Sequence, residues 1–189
     1  ALLNALPDHV GLIGGSSGGH LLLLAALRPT CAEYAGTPYV GMTSTPIDAR
    51  VAYALALWPI ADPGARYRYL QGRIAHPVEA RDPFFDPQRL QRGHELFFGD
   101  EATMDRASVP RIVTSGEAEC LPPIWIAHPA LDENVTSAMT EHLVATYRAA
   151  GGSAGYEIFP DVGHAFANFP TPAAEVCIAR MKDFIRRQP

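Results

Sequence analysis

Three absences narrow the chemistry open to this chain before any motif is considered. Cys31, Cys120 and Cys177 stand far apart with no C-x-x-C among them. This suggests neither a disulfide framework nor a cysteine zinc site, and a reducing, cytoplasmic setting fits best. Concentrated positive charge is also missing: 15 Lys and Arg against 20 Asp and Glu leave a net charge of −5, and no basic block is longer than Arg186-Arg187. The electrostatic footprint of a nucleic-acid binder is therefore lacking. Finally, the most apolar stretch, Val10 to Leu27, is interrupted by glycines, serines and His20, which makes it a poor membrane span. No H-x-x-x-H or H-x-x-E-H spacing offers a metal site. There is likewise no internal repeat and no low-complexity segment. The expected partners are small molecules, with no metal, cofactor, nucleic acid or membrane.

What is present suits one compact α/β domain over residues 1–189, since 48% hydrophobic and 19% charged residues are ordinary for a globular chain of 189 residues. The chain is organised around Val10-Gly11-Leu12-Ile13-Gly14-Gly15-Ser16-Ser17-Gly18-Gly19-His20-Leu21-Leu22. The apolar residues before the serines are too few for a helix and read as a fully buried strand; the leucines after them read as a helix buried nearly all round. A serine thus sits on a sharp strand-to-helix turn. Gly14-Gly15-Ser16-Ser17-Gly18 fits G-x-S-x-G, whose flanking glycines, Gly14 and Gly18, remove Cβ atoms that would collide at a strained turn. Ser16 is the candidate nucleophile. A second register over Gly15 to Gly19 nominates Ser17, but Ser16 follows the strand directly and leaves Gly18 and Gly19 for close helix approach. A P-loop would need Lys and then Ser or Thr after its last glycine, where His20-Leu21 stand, and the register of G-x-G-x-x-G fails at Ile13.

Further along, Val51 to Trp58 is an apolar run stopped by Pro59, and Pro122 to His128 is another, with its prolines at the strand start. Met139, Leu143, Val144 and Tyr147 recur at helical spacing until Gly151-Gly152, and Gly155 to Pro160 alternates as a strand. Thr171 caps a last helix that has Pro172 in its first turn and a stripe of Cys177, Met181, Phe184 and Ile185. Pro29, Gly36, Pro38, Gly41 and Pro46 mark an irregular connection, and Ala1 to Leu6 resembles a helix tail ended by Pro7. From Ile60 to Pro122, short helices and loops are expected. The aromatics there (Tyr67, Tyr69, Phe84, Phe85, Phe97, Phe98) are expected to be mostly core, with an acyl pocket as the competing role. Strands alternating with helices imply parallel pairing, which gathers the strand ends on one edge. Ser16, Asp132 and His164 all follow predicted strands.

A serine hydroxyl needs a base within hydrogen-bond reach, and that base needs a carboxylate to fix its tautomer. His164 on its loop and Asp132 supply these types; Glu133 is the rival acid. His9, His20, His76, His94, His128 and His142 read as structural or solvated. The order Ser, Asp, His, together with the elbow at Val10 to Leu22, the stretch Pro122 to Val135 and the loop Phe159-Pro160-Asp161-Val162-Gly163-His164-Ala165-Phe166, resembles the esterase and peptidase branches of the α/β-hydrolase fold.

That resemblance implies a partial α/β-hydrolase fold of about four parallel strands with helices on both faces. It also implies hydrolysis of a small-molecule carboxylic ester through an acyl-enzyme, with the Ser17 N–H as one oxyanion donor. Alternatives are a serine peptidase of the prolyl-oligopeptidase type and a non-catalytic module that retains the triad. Only 15 residues precede Ser16, so the N-terminal strands and the oxyanion loop that the resemblance implies are expected to be absent. The outer edge of the first strand is then expected to recruit a second copy or the missing half, and the chain alone to be a weak catalyst.

Overall fold

The computed structural model describes residues 9–31, 49–82 and 85–188. The expected helix tail before Pro7, the connection around Gly36, Pro38, Gly41 and Pro46, and Phe84 lie outside the described residues. Four strands, β1 (Gly11–Gly15), β2 (Tyr53–Leu57), β3 (Ile124–Pro129) and β4 (Ala154–Phe159), form one sheet in the order β1-β2-β3-β4. Every neighbouring pair is parallel, with Gly15 opposite Leu57, Ala127 opposite Leu57 and Pro129 opposite Phe159. Each crossover carries at least one helix: α1 (Ser17–Leu27), then α2 (Pro63–Ala75), α3 (Pro87–Phe98), α4 (Glu101–Arg106) and α5 (Val109–Thr114), then α6 (Ser137–Ala149); α7 (Pro172–Arg186) closes the chain.

Strand periodicity divides the core between the two faces of the sheet. Ala54, Ala56, Ile124 and Ile126 point to one face, where Leu23 and Leu27 of α1, Val109 and Ile112 of α5, and Leu143 and Tyr147 of α6 are fully buried. Leu55, Leu57, Trp125 and Ala127 point to the other, which α7 covers with Cys177 and Phe184. Full burial of one leucine contributes about 2 kcal/mol, so α1, with five of its residues in this cluster, is fixed mainly by packing. Ala54 and Ala56 leave room beneath it.

The region between β2 and β3 is divided by its caps. Asp62, Asp86, Asp100 and Ser108 each accept a backbone N–H from three residues on, and proline follows at the first or second position of α2, α3 and α5. Thr171 does the same for α7, accepting from Ala174 N at 3.2 Å.

Two expectations require correction. β1 is not fully buried: it lies at the sheet edge, and Ile13, on the face that α7 covers elsewhere, is 59% exposed. Ile185 leaves the predicted stripe of α7 and is exposed, while Cys177 and Phe184 carry the contact. No described helix is long and apolar enough to cross a membrane.

Candidate active site

The turn between β1 and α1 is held on both sides. Ser16 N donates to Leu57 O at 2.9 Å, continuing the ladder with β2, and Ser16 O accepts from His20 N and Ile60 N at 3.1 and 3.2 Å. Between these bonds Ser16 is forced to φ 55°, a left-handed conformation that costs a non-glycine residue about 1–3 kcal/mol. Its side chain consequently stands at the carboxyl end of the sheet, and Ser17 begins the helix.

The glycines around this turn act differently from the motif's expectation. A Cβ on Gly14 would lie 2.7 Å from the backbone C and O of Gly18, and one on Gly19 would lie 3.0 Å from Pro59. A Cβ on Gly18 would meet nothing within 4 Å. The expected steric role of Gly18 is therefore wrong: Gly14 and Gly19 permit the close approach, and Gly18 contributes the backbone that Gly14 must accommodate.

His164, on the loop after β4, reaches both expected partners. Its Nε2 lies 2.9 Å from Ser16 Oγ and its Nδ1 lies 2.8 Å from Asp132 Oδ2. A carboxylate only accepts, so Nδ1 carries the proton and Nε2 is left to accept from the serine hydroxyl. The other oxygen, Asp132 Oδ1, accepts from Asn134 N at 2.7 Å and Val135 N at 3.0 Å, and the carboxylate is completely buried. Leu131 N donates to Val162 O at 3.0 Å, tying the acid turn to the histidine loop. Of the two candidate serines, Ser16 is the one His164 meets.

Glu133 is occupied elsewhere. Its Oε2 accepts from Arg81 N and Asp82 N at 2.7 and 2.8 Å, and its Oε1 pairs with Arg73 at 3.4 Å. His128 is completely buried between Ser137 and Thr140, in keeping with a structural role. His9, His76 and His142 are exposed. No group of three or more His, Cys, Asp or Glu among the described residues could hold a metal ion.

Beside Ser16 opens a cleft of about 680 Å³, with apolar walls from Leu21, Ile60, Leu90, Phe97, Phe98 and Phe169. Phe97 is 68% exposed, so this aromatic belongs to the cleft and not to the core, whereas Tyr67 and Phe85 are buried as expected. Sequence reasoning assigned no site role to several polar lining residues: Arg66, His94 and Asn134 form a hydrogen-bonded group in the wall, and buried His20 places Nε2 2.7 Å from Ala107 O. Burial holds both histidines below the usual range, His94 at about 4 with the Arg66 charge adding to the effect. Trp58, at φ 40°, lays its indole against Gly15 and packs edge-on to His164 at 6.2 Å.

A half-buried strand-to-helix serine, a histidine after the last strand and an acid after the third are thus gathered at one end of a parallel sheet. A family profile described as alpha/beta hydrolase fold matches residues 2–168. The chain belongs to the α/β-hydrolase fold family.

Solved structures show the same fold. An esterase from the Planctomycetes species Thermogutta terrifontis, with propionate bound, is 18% identical over 95% of this chain and 56% of its own, with a TM-score of 0.61. Esterase 2 of Thermogutta terrifontis phosphonylated by sarin is 17% identical over 95% and 56%, with a TM-score of 0.62. EstE5, in a crystal soaked with p-nitrophenyl butyrate, is 23% identical over 97% and 54%, with a TM-score of 0.69. This α/β hydrolase chain therefore spans just over half the length of these structures, and the likeness to them is one of fold. No curated protein matches it in sequence.

Proposed function

We propose that this chain carries the reaction centre of a carboxylic ester hydrolase that works through an acyl-enzyme. The observation that supports this most is the continuous chain from Ser16 Oγ through His164 to Asp132, at 2.9 and 2.8 Å. Ser16 Oγ attacks the ester carbonyl as its proton passes to His164 Nε2; Asp132 holds the imidazole in the required tautomer and stabilises the imidazolium. The carbonyl oxygen becomes an oxyanion. Ser17 N–H lies in the first turn of α1, where backbone donors have no intrahelical acceptor, and serves as one of its donors. Collapse expels the alcohol, which takes the proton from His164, and water activated by the same imidazole then releases the acid.

The named neighbours from Thermogutta terrifontis are esterases, and one of them is phosphonylated by sarin, which agrees with a nucleophile of this kind. No observation favours the peptidase alternative. The test is to treat the chain with a fluorophosphonate, map the adduct by mass spectrometry, and measure p-nitrophenyl butyrate hydrolysis alongside. An adduct on Ser16, lost together with hydrolysis in Ser16→Ala, is expected. An adduct on Ser17 would overturn the assignment of the nucleophile. Absence of any adduct would favour the non-catalytic module.

A further inference from the structure

The cleft beside Ser16 contains a buried positive charge that the proposed reaction does not use. Arg66, on α2, is only 4% exposed, yet it lines the cleft together with its two partners, Asn134 and His94. Nε donates to Asn134 O at 2.7 Å, Nη2 to Asn134 Oδ1 at 3.2 Å, and Nη1 to His94 Nε2 at 2.7 Å. All three acceptors are neutral, since a histidine that accepts from a guanidinium cannot also be protonated there. Among the described residues no carboxylate forms an ion pair with Arg66; the one that most affects it, Asp132, is engaged with His164. Burial lowers the guanidinium to about 10, so it remains charged at neutral pH, while His94 stays neutral.

A buried guanidinium normally finds a counterion, because neutral acceptors offset little of the cost of leaving water. Of its five N–H groups, three make these bonds and two are left over. The walls around it are apolar over Leu90, Phe97, Phe98 and Phe169, and Asp82 and Arg89 are the other charged residues that line the cleft. A ligand with an aliphatic or aromatic body and an anionic end would fit both features. A planar carboxylate is the group that a guanidinium fork matches in geometry as well as charge.

We propose that Arg66 reads a free carboxylate on the substrate, so that the preferred substrates are monoesters of dicarboxylic acids. This rests on the ester-hydrolase reading for the reaction, though not for the recognition. The competing role is purely structural: through Asn134, Arg66 also braces the turn that holds Asp132, and a variant that loosens that turn would slow every ester alike. Selectivity, not rate, separates the two.

The experiment compares two ligands of equal acyl length, monomethyl adipate and methyl hexanoate, by calorimetric titration of the chain carrying Ser16→Ala to prevent turnover. The matching p-nitrophenyl esters are then compared kinetically in the parent chain. Monomethyl adipate is expected to bind about tenfold more tightly or better, and Arg66→Gln to remove that preference while Arg89→Gln, at an exposed arginine of the same cleft, keeps it. Equal affinity for the two ligands, a preference surviving in Arg66→Gln, or an equal loss in Arg89→Gln would overturn the proposal. If Arg66→Gln fails to fold by circular dichroism, the two-ligand comparison in the folded chain still decides, because no preference there is fatal. Carboxylate-selective binding without Ser16-dependent turnover would count against the reaction and keep the recognition; turnover without selectivity would do the reverse.

Discussion

Replacing Asp132 with Asn changes one atom, and the surroundings determine where that change is felt. Asp132 Oδ1 accepts from two backbone donors, Asn134 N and Val135 N, and Oδ2 faces His164 Nδ1. An amide can satisfy the two N–H groups only with its oxygen, so its NH2 must face the imidazole. A donor now points at Nδ1. The ring answers by moving its proton to Nε2, which then donates toward Ser16 Oγ and can no longer act as its base. The fold should hardly notice, since size and the two backbone bonds are retained. The loss is expected to be about 10⁴-fold in kcat, equivalent to about 5 kcal/mol of transition-state stabilisation. It should appear both in ester hydrolysis and in the rate at which a fluorophosphonate labels Ser16, while the urea unfolding midpoint stays close to that of the parent. A loss of less than about tenfold in a folded variant would refute the reasoning, because it would mean that the tautomer is not set by Asp132.

The glycines of the turn should behave oppositely. Gly14→Ala places a Cβ against Gly18 backbone and Leu22 and is expected to destabilise the chain by about 1–3 kcal/mol; Gly18→Ala enters open space and should be neutral or stabilising by up to about 1 kcal/mol. Urea unfolding of the two variants checks this, and equal effects would refute it. His94 is held at about 4 when folded against 6.5 when free. Between those values the unfolded chain binds the extra proton, so stability falls as pH drops through that window. The contribution is on the order of 3 kcal/mol. Unfolding at pH 7 and at pH 4 should show a smaller difference in His94→Gln than in the parent; identical differences would remove His94 from the account.

Much of this arrangement is legible in the sequence because the strands are apolar runs, or in β4 an alternating one, closed by glycine or proline, and because parallel pairing brings distant strand ends together. Ser16, Asp132 and His164 could be singled out for that reason. The reach of α1, α2 and α3 around the cleft is less legible. Asp62-Pro63 and Asp86-Pro87 are capping signals in plain view, yet nothing local shows that α3 turns Phe97 toward a cleft when amphipathic spacing would equally place it in the core. Arg66 is harder still, since its partners are His94 and Asn134, one on α3 and the other beyond β3. The exposure of Ile13 follows from sheet order, and sheet order is set by which strands find partners, not by the composition of any one of them. Gly18 misled for a related reason: a motif records which residues recur, whereas a clash depends on the atoms opposite, and it is a Cβ at Gly14 that would meet them, in the backbone of Gly18.

Ala54 and Ala56 have a consequence that reaches the reaction. These two completely buried side chains belong to the core on which α1 rests, and α1 begins with Ser17, the proposed oxyanion donor, directly after Ser16, the proposed nucleophile. The altitude of the proposed nucleophile is therefore calibrated from below, by the thickness of a floor it never touches. A methyl or two added there would tilt the helix and detune the distance to His164 while leaving every reacting group in place. In the proposed reaction, selection on rate would thus act through the smallest residues of the second strand.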